Sequence, residues 1–256
     1  MSVIFDPVIG MLKRATTKKE VSKFCVLYQK EGEKIINLSP DMTIDDINLA
    51  LNNCERDLEK YKILIIQFAD GTYNLNGPIR LSGFRGGGHL AIQGNLNDNQ
   101  GPDTNRSVIL NFEGSFNYGF VLEGMSLRYI TIDKIRFIKT DQGTHNITNS
   151  TLLLDNINAR IRIDSCAFQL GSQRNHGFDI YCRNSSLICQ YSMFNYGYIA
   201  LFATEGAHIH SSNNDDSGRP AYGLYTKSGG FISKAGTQPT GNIANEHKDI
   251  GVGIIE

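Results

Sequence analysis

The chain has 256 residues, a formal net charge of −1 and 40% hydrophobic residues. This length suffices for one or two domains with a continuous core, and a charge so close to zero argues against a nucleic-acid-binding surface. The five cysteines include no Cys-x-x-Cys pair and predict neither a disulfide framework nor a zinc site. We find no apolar segment long enough for a membrane span or a signal peptide.

The N-terminal part of the sequence divides into two segments. Residues 1–40 show little periodicity and many lysines, and we predict an N-terminal arm there. Residues 41–60 carry apolar side chains three and four positions apart, after Thr43 and with Asp46 three residues later, which is the pattern of a capped amphipathic helix. Because the open end of a β-stack exposes apolar side chains and unpaired backbone groups, we expect this helix to cover such an end.

A short phrase recurs from the middle of the chain toward its C-terminus. It reads Ile-Thr-Ile-Asp-Lys-Ile-Arg-Phe at 130–137 and returns at 161–168 and 187–194, with weaker echoes that start at His208 and Phe231. A second apolar string precedes each phrase, and Gly, Asn, Asp and Ser separate the strings. A period of about 20–30 residues built from short β-rich strings predicts stacked β-coils.

The repeated phrase also predicts which side chains form the core. Alternation would direct the isoleucines inward and Thr131 and Arg162 outward, and Phe137, Phe168 and Phe194 would stack in one interior column. The leucine register of a leucine-rich repeat is absent, and a β-sandwich is the remaining alternative.

We therefore predict an all-β fold, a right-handed parallel β-helix (a solenoid), with an N-terminal amphipathic capping helix. The β-helix would span 61–241. We expect a C-terminal tail at 242–256 that either caps the last coil or leads away from it.

Two blocks of the sequence carry a family resemblance. Asp70–Tyr73, Gly77–Leu81 and Leu90–Gly94 resemble the opening rungs of pectin-lyase-like β-helix proteins, and Tyr222–Gly241 resembles the closing rungs of phage tail fibre and tail-spike proteins. The resemblance implies a phage or prophage tail component, a homotrimer that assembles with other phage tail proteins and touches host surface polysaccharide. It also implies a virion-tail location, with synthesis in the bacterial cytoplasm without a signal peptide.

One candidate site is a pair of aspartates at the same point of successive phrases. If the rungs are in register, the carboxylates of Asp133 and Asp164 lie about 5 Å apart, a spacing that retaining glycosidases use. In the structural alternative each aspartate bonds the backbone of its own corner, and Gln190, Ser211 and Lys234 continue the column.

The second candidate lies in the string Arg174–Arg183. Asp179, Tyr181 and Arg183 alternate, so all three would project from one strand face and suit glycan binding, and His176 precedes them for proton transfer. The alternative is an ordinary solvated strand face. We take these three as glycan-binding candidates, and Asp133, Asp164, His176 and Asp179 as weak catalytic candidates.

The other motifs predict no metal or cofactor. His208 and His210 share a strand face, but the sequence places no third ligand beside them. The glycines at 86–88 are not followed by a helix, so they indicate a corner rather than a phosphate-binding loop.

Because β-helices serve several roles, the fold alone does not decide the function. Cleavage of a polysaccharide needs convergent acidic groups, and the sequence offers few. We therefore expect a phage or prophage tail fibre-like structural protein that binds host surface glycan. The alternatives are a polysaccharide depolymerase, acting as hydrolase or lyase, and a purely structural tail spacer.

Overall fold

The computed structural model describes residues 3–6, 11–14, 26–27, 32–58, 63–114, 116–140, 149–170, 177–218, 220–249 and 253–256. Strands β1 (Val3–Asp6) and β2 (Met11–Arg14) pair antiparallel with each other, and β3 (Val26–Leu27) pairs antiparallel with β4 (Glu33–Leu38). The described strand pairs from β4 onward are all parallel, as the repeated phrase predicts.

Three long strands belong to two faces of the stack, because their first and second halves pair with different neighbours. They are β10 (Tyr118–Asp133), β12 (Ser150–Asp164) and β14 (Phe178–Gln190). The first face combines their first halves with β7 (Ile79–Ser82), β16 (Ile199–Thr204), β19 (Tyr222–Thr226) and β21 (Ala244–Lys248).

The other two faces complete each rung. The second face combines the second halves of the long strands with β4, β5 (Ile63–Phe68), β8 (His89–Gln93), β17 (His208–Ser212), β20 (Phe231–Ala235) and β22 (Ile254–Ile255). The third face contains β6 (Gly71–Leu75), β9 (Val108–Glu113), β11 (Arg136–Thr140), β13 (Ala167–Leu170), β15 (Met193–Asn195) and β18 (Asp215–Asp216). The chain is thus a parallel β-helix; its right-handedness stays a prediction.

Residues with positive φ mark the corners. Between the first and second faces, Asn156, Asn184 and Glu205 have φ of 53°, 45° and 51°. Between the second and third faces, Lys134 and Ser165 have φ of 56° and 52°. Left-handed backbone at equivalent positions bends each rung in the same place, and asparagine adopts this conformation more readily than most residues.

The interior is a continuous apolar core, and the predicted phenylalanine column is confirmed. Phe137, Phe168 and Phe194 are fully buried register partners. Their ring centroids lie 5.2 and 5.4 Å apart, with interplanar angles of 3° and 13°. These three successive rungs therefore each contribute one ring to a stack along the core.

The predicted capping helix is α1 (Ile44–Asn52), shorter than the 41–60 segment. The Thr43 and Asp46 side chains form the expected capping box, and the helix buries Ile44, Ile47, Ala50 and Leu51. Asn48 Nδ2 donates to Pro78 O at 3.1 Å, and the Arg80 N–H donates to Asn48 Oδ1 at 3.3 Å. These bonds attach the helix beside β7, the first strand of the first face.

Sheet pairing extends past the predicted segment boundaries at both ends. β4 lies in the segment predicted as an arm and pairs with β5, while β21 and β22 lie in the segment predicted as a tail and pair with β19 and β20. Parallel pairing supplies partners to backbone groups that would otherwise form an open edge. Within the described ranges, no helix is long and apolar enough to cross a membrane.

Candidate functional site

A second apolar cluster, separate from the core, lies on the outer side of the first face. Its members form the aromatic patch: Phe178, Tyr181, Tyr198, Ile199, Phe202, Tyr222 and Tyr225. Tyr181, Phe202 and Tyr225 are register partners on β14, β16 and β19. Their strand neighbours Ile180, Leu201 and Leu224 belong to the core. Alternation therefore directs the patch outward.

The rings of the patch form a ladder along the stack. The centroids of Tyr181 and Phe202 lie 5.1 Å apart, those of Phe202 and Tyr225 5.3 Å, and those of Tyr225 and His247 4.5 Å. Burial raises the pKa of Tyr181 and of Tyr198. Burial, and then the nearby Asp249, raises the pKa of Tyr225 to about 12. The phenols therefore keep their protons at physiological pH and remain hydrogen-bond donors.

A charged pair borders the patch. Arg183 and Asp155 are register partners on β14 and β12. Arg183 Nε donates to Asp155 Oδ1 at 2.8 Å, and Nη2 donates to Oδ2. The hydrogen bond to Asp155 raises the pKa of Arg183. The guanidinium carbon lies 5.9 Å from the centre of the Tyr181 ring, and Glu205 Oε2 lies 4.0 Å from Nε. The pair thus connects the aromatic patch to the corner where Glu205 lies.

A shallow groove of about 490 Å³ follows at that corner. Its lining includes Asn156, Asn158, Asn184, Ser186 and Glu205. Asn184 Nδ2 donates to Asn156 Oδ1 at 3.1 Å, so the corner amides form a short ladder. Together the patch and this corner groove offer apolar rings, phenols, amides and hydroxyls on one continuous outer surface. Such a mixture suits a ligand with apolar C–H faces and many hydroxyl groups.

Tyr181 and Arg183 lie on this outer surface, as predicted, but the prediction is wrong for Asp179. Asp179 is fully buried, and neither carboxylate oxygen has a hydrogen-bond partner in the described part of the chain. A Cβ at Gly197 would lie 2.6 Å from Asp179 Oδ2, so the carboxylate fills the space beside that glycine. Burial raises its pKa well above the ordinary value. Strict alternation fails here because Phe178 joins the outer patch while Ile180 joins the core.

The structure brings Asp133 and Asp164 together on adjacent strands of the second face. Arg162 lies between them, with Nη2 3.8 Å from Asp133 Oδ1 and Nε 4.0 Å from Asp164 Oδ2. Gln190 Nε2 donates to Asp164 Oδ2 at 2.7 Å, and Ser165 Oγ donates to Oδ1 at 2.8 Å. Burial raises the pKa of Asp133 to about 6; Arg162 opposes this rise and Asp164 adds to it.

The predicted continuation of this aspartate column is partly wrong. Gln190 does pair with Asp164, but Ser212 and Ala235 continue the column, instead of Ser211 and Lys234. The two weaker repeats, which start at His208 and Phe231, are therefore shifted by one residue from the alignment predicted from the sequence. Ser211 is fully buried.

The remaining candidates do not join a site. His176 lies outside the described residues. The His208 ring lies 4.3 Å from the Phe231 ring, and His210 Nδ1 contacts Ser233 Oγ at 2.9 Å. Within the described ranges, no three His, Cys, Asp or Glu side chains are grouped as metal ligands.

Sequence reasoning missed the aromatic patch. A signal was present, since β16 reads Ile-Ala-Leu-Phe-Ala-Thr, a nearly continuous apolar run of the kind found in strands covered on both sides. An alignment of the rungs that contain β16 and β19 would have placed the aromatic residues at 198, 202, 222 and 225 together on the outer side.

Comparisons with protein-family models, with curated proteins and with solved structures found no match for this chain. The likeness to phage tail proteins therefore depends on the sequence blocks alone.

Proposed function

We propose that the chain is a phage or prophage tail fibre-like structural protein whose first face binds host surface polysaccharide along the aromatic patch. One observation carries the proposal: an apolar, tyrosine-rich cluster lies on the outside of a rigid stack, separate from its core. The four tyrosines of the patch are half-buried, whereas Phe178, Ile199 and Phe202 are buried. Tyrosines with an apolar ring and a polar tip at the surface are typical of interaction sites.

The patch fits a glycan by its chemistry and by its spacing. Aromatic rings pack against the apolar C–H faces of pyranoses, and the phenols of Tyr181, Tyr198, Tyr222 and Tyr225 offer hydrogen-bonding groups to hydroxyls. Successive rings lie 5.1 and 5.3 Å apart along the stack, a repeat comparable to one sugar unit of an extended polysaccharide. Strand pairing fixes these positions before binding, which lowers the entropic cost of association.

The biological setting of the proposal comes from the sequence resemblance. The resemblance to tail fibre proteins implies a homotrimer, which is the form we propose, with closed symmetry as in most oligomers. Other phage tail proteins would be its partners in the virion tail. If the patch binds no glycan, the spacer function becomes the better proposal.

The test combines binding with a matched control. Surface polysaccharides from candidate hosts are incubated with the purified chain, and co-sedimentation and glycan size are both followed. We expect Tyr181→Ala and Tyr225→Ala to weaken binding by about tenfold or more. Tyr129→Ala on the second face is the control and should bind like wild type. Equal losses in all three variants, or no binding by wild type, would refute the proposal.

The Asp133–Asp164 pair favours a second candidate function, hydrolysis of the polysaccharide. Asp133, with a pKa of about 6, could protonate a leaving oxygen, while Asp164 accepts hydrogen bonds from Gln190 and Ser165. If the glycan is shortened, Asp133→Asn and Asp164→Asn should each stop the shortening and leave co-sedimentation unchanged. Intact glycan at every pH between 5 and 7 would exclude this candidate.

A further inference from the structure

We infer that the sugar bound beside the aromatic patch is uncharged or carries an amine, and that Glu205 in the corner groove accepts a hydrogen bond from it. The inference rests on the proposed glycan binding and adds the chemical class of the glycan. Arg183 connects the two surfaces, because its guanidinium lies near the Tyr181 ring and near the Glu205 carboxylate.

The charges at this border do not suit an acidic sugar. Two donors of the Arg183 guanidinium are already directed at Asp155. Glu205 is 4.0 Å from Arg183 Nε, and 49% of its side chain is exposed. Two carboxylates thus face one guanidinium. A uronate, sulfate or phosphate group entering the groove would meet Glu205, while the charge of Arg183 is already balanced by Asp155.

The uncharged groups of the groove suit a hydroxyl-rich ligand. The side chains of Asn158 and Ser186 line the groove and have no hydrogen-bond partner in the part of the chain that the structure describes. Amide and hydroxyl groups both donate and accept, so they match sugar hydroxyls or an N-acetyl group, whereas an ionised carboxylate only accepts. Glu205 therefore requires a donor on the ligand, which a hydroxyl or an amine provides and an ionised acid group does not.

The size and shape of the groove are compatible with a sugar unit. Its volume of about 490 Å³ falls in the range of small-molecule sites. The corner positions are fixed by left-handed backbone at Asn156, Asn184 and Glu205. The groove thus exists before binding, as the patch does.

The experiment uses acidic surface polysaccharides in two forms, native and carboxyl-reduced, together with neutral polysaccharides. Reduction converts each uronate to a neutral hexose and leaves the backbone unchanged. We expect wild type to bind the reduced form about tenfold more tightly than the native form. Glu205→Lys should reverse this preference, because the new ammonium attracts the uronate. Glu123→Lys is the matched control, since Glu123 lies on the same outer surface beside Arg80 and outside the groove.

The outcomes separate this inference from the proposed function. If wild type binds glycan but prefers the native acidic form, the inference is wrong and the proposed function stands. The inference is also wrong, and the proposed function still stands, if Glu205→Lys leaves the preference for the reduced form unchanged while Tyr181→Ala abolishes binding. If wild type binds none of the polysaccharides, both fail. Unchanged circular dichroism of each variant verifies that the fold is retained.

Discussion

The outer surfaces of the first and second faces differ, although the same three long strands build both. On the first face the outward residues of successive rungs are Tyr181, Phe202 and Tyr225. On the second face the corresponding positions include the polar residues Thr131 and Arg162. Inward positions are apolar on both faces because they share one core. The shared core thus constrains the inner side of each strand in the same way, and the two faces differ in what their outer sides carry.

The largest expected effect concerns the shared core. Phe168→Ala removes the middle ring of the Phe137–Phe168–Phe194 stack, so we expect a loss of about 3–5 kcal/mol in the free energy of unfolding. Urea denaturation would measure it. A change below about 1 kcal/mol would mean that the column is not core.

An intermediate effect concerns Asp179, which is buried close behind the patch. Its folded-state pKa is raised, so ionisation is penalised in the fold and stability is lost as the pH rises from the unfolded-state pKa toward the folded-state pKa. Asp179→Asn removes this charge. We expect the variant to be more stable than wild type by about 1–3 kcal/mol at pH 8, and equal to it below pH 4. Thermal melts across this pH range would measure the difference in stability between the variant and wild type. Parallel stability profiles of the two proteins against pH would contradict the expectation.

The smallest expected effect lies on the second face. Arg162 is about half exposed, so Arg162→Ala should change the free energy of unfolding by less than about 1 kcal/mol. The arginine lowers the pKa of Asp133, and its removal should therefore raise that pKa above about 6. Titration of the Asp133 carboxyl by NMR would detect the shift. A lowered pKa would mean that Arg162 does not act on Asp133.

The sequence predicted the core better than the outer surface. The period of the phrase, the phenylalanine column and the capping box at Thr43 all follow from strong local rules, and the structure shows them. Asp179 was misplaced because one irregularity at Phe178 reverses the alternation, and nothing in the local sequence marks it. The aromatic patch was missed because its rows form only when β14, β16 and β19 are in register, and that alignment is a property of the whole stack.

Hydroxyl-radical footprinting of the tyrosines, with and without bound host polysaccharide, tests most directly whether the first face binds glycan. We expect the glycan to protect Tyr181, Tyr222 and Tyr225 on the first face, while Tyr129 on the second face keeps its reactivity. Protection of Tyr129 with unchanged patch tyrosines would contradict the assignment of binding to the first face.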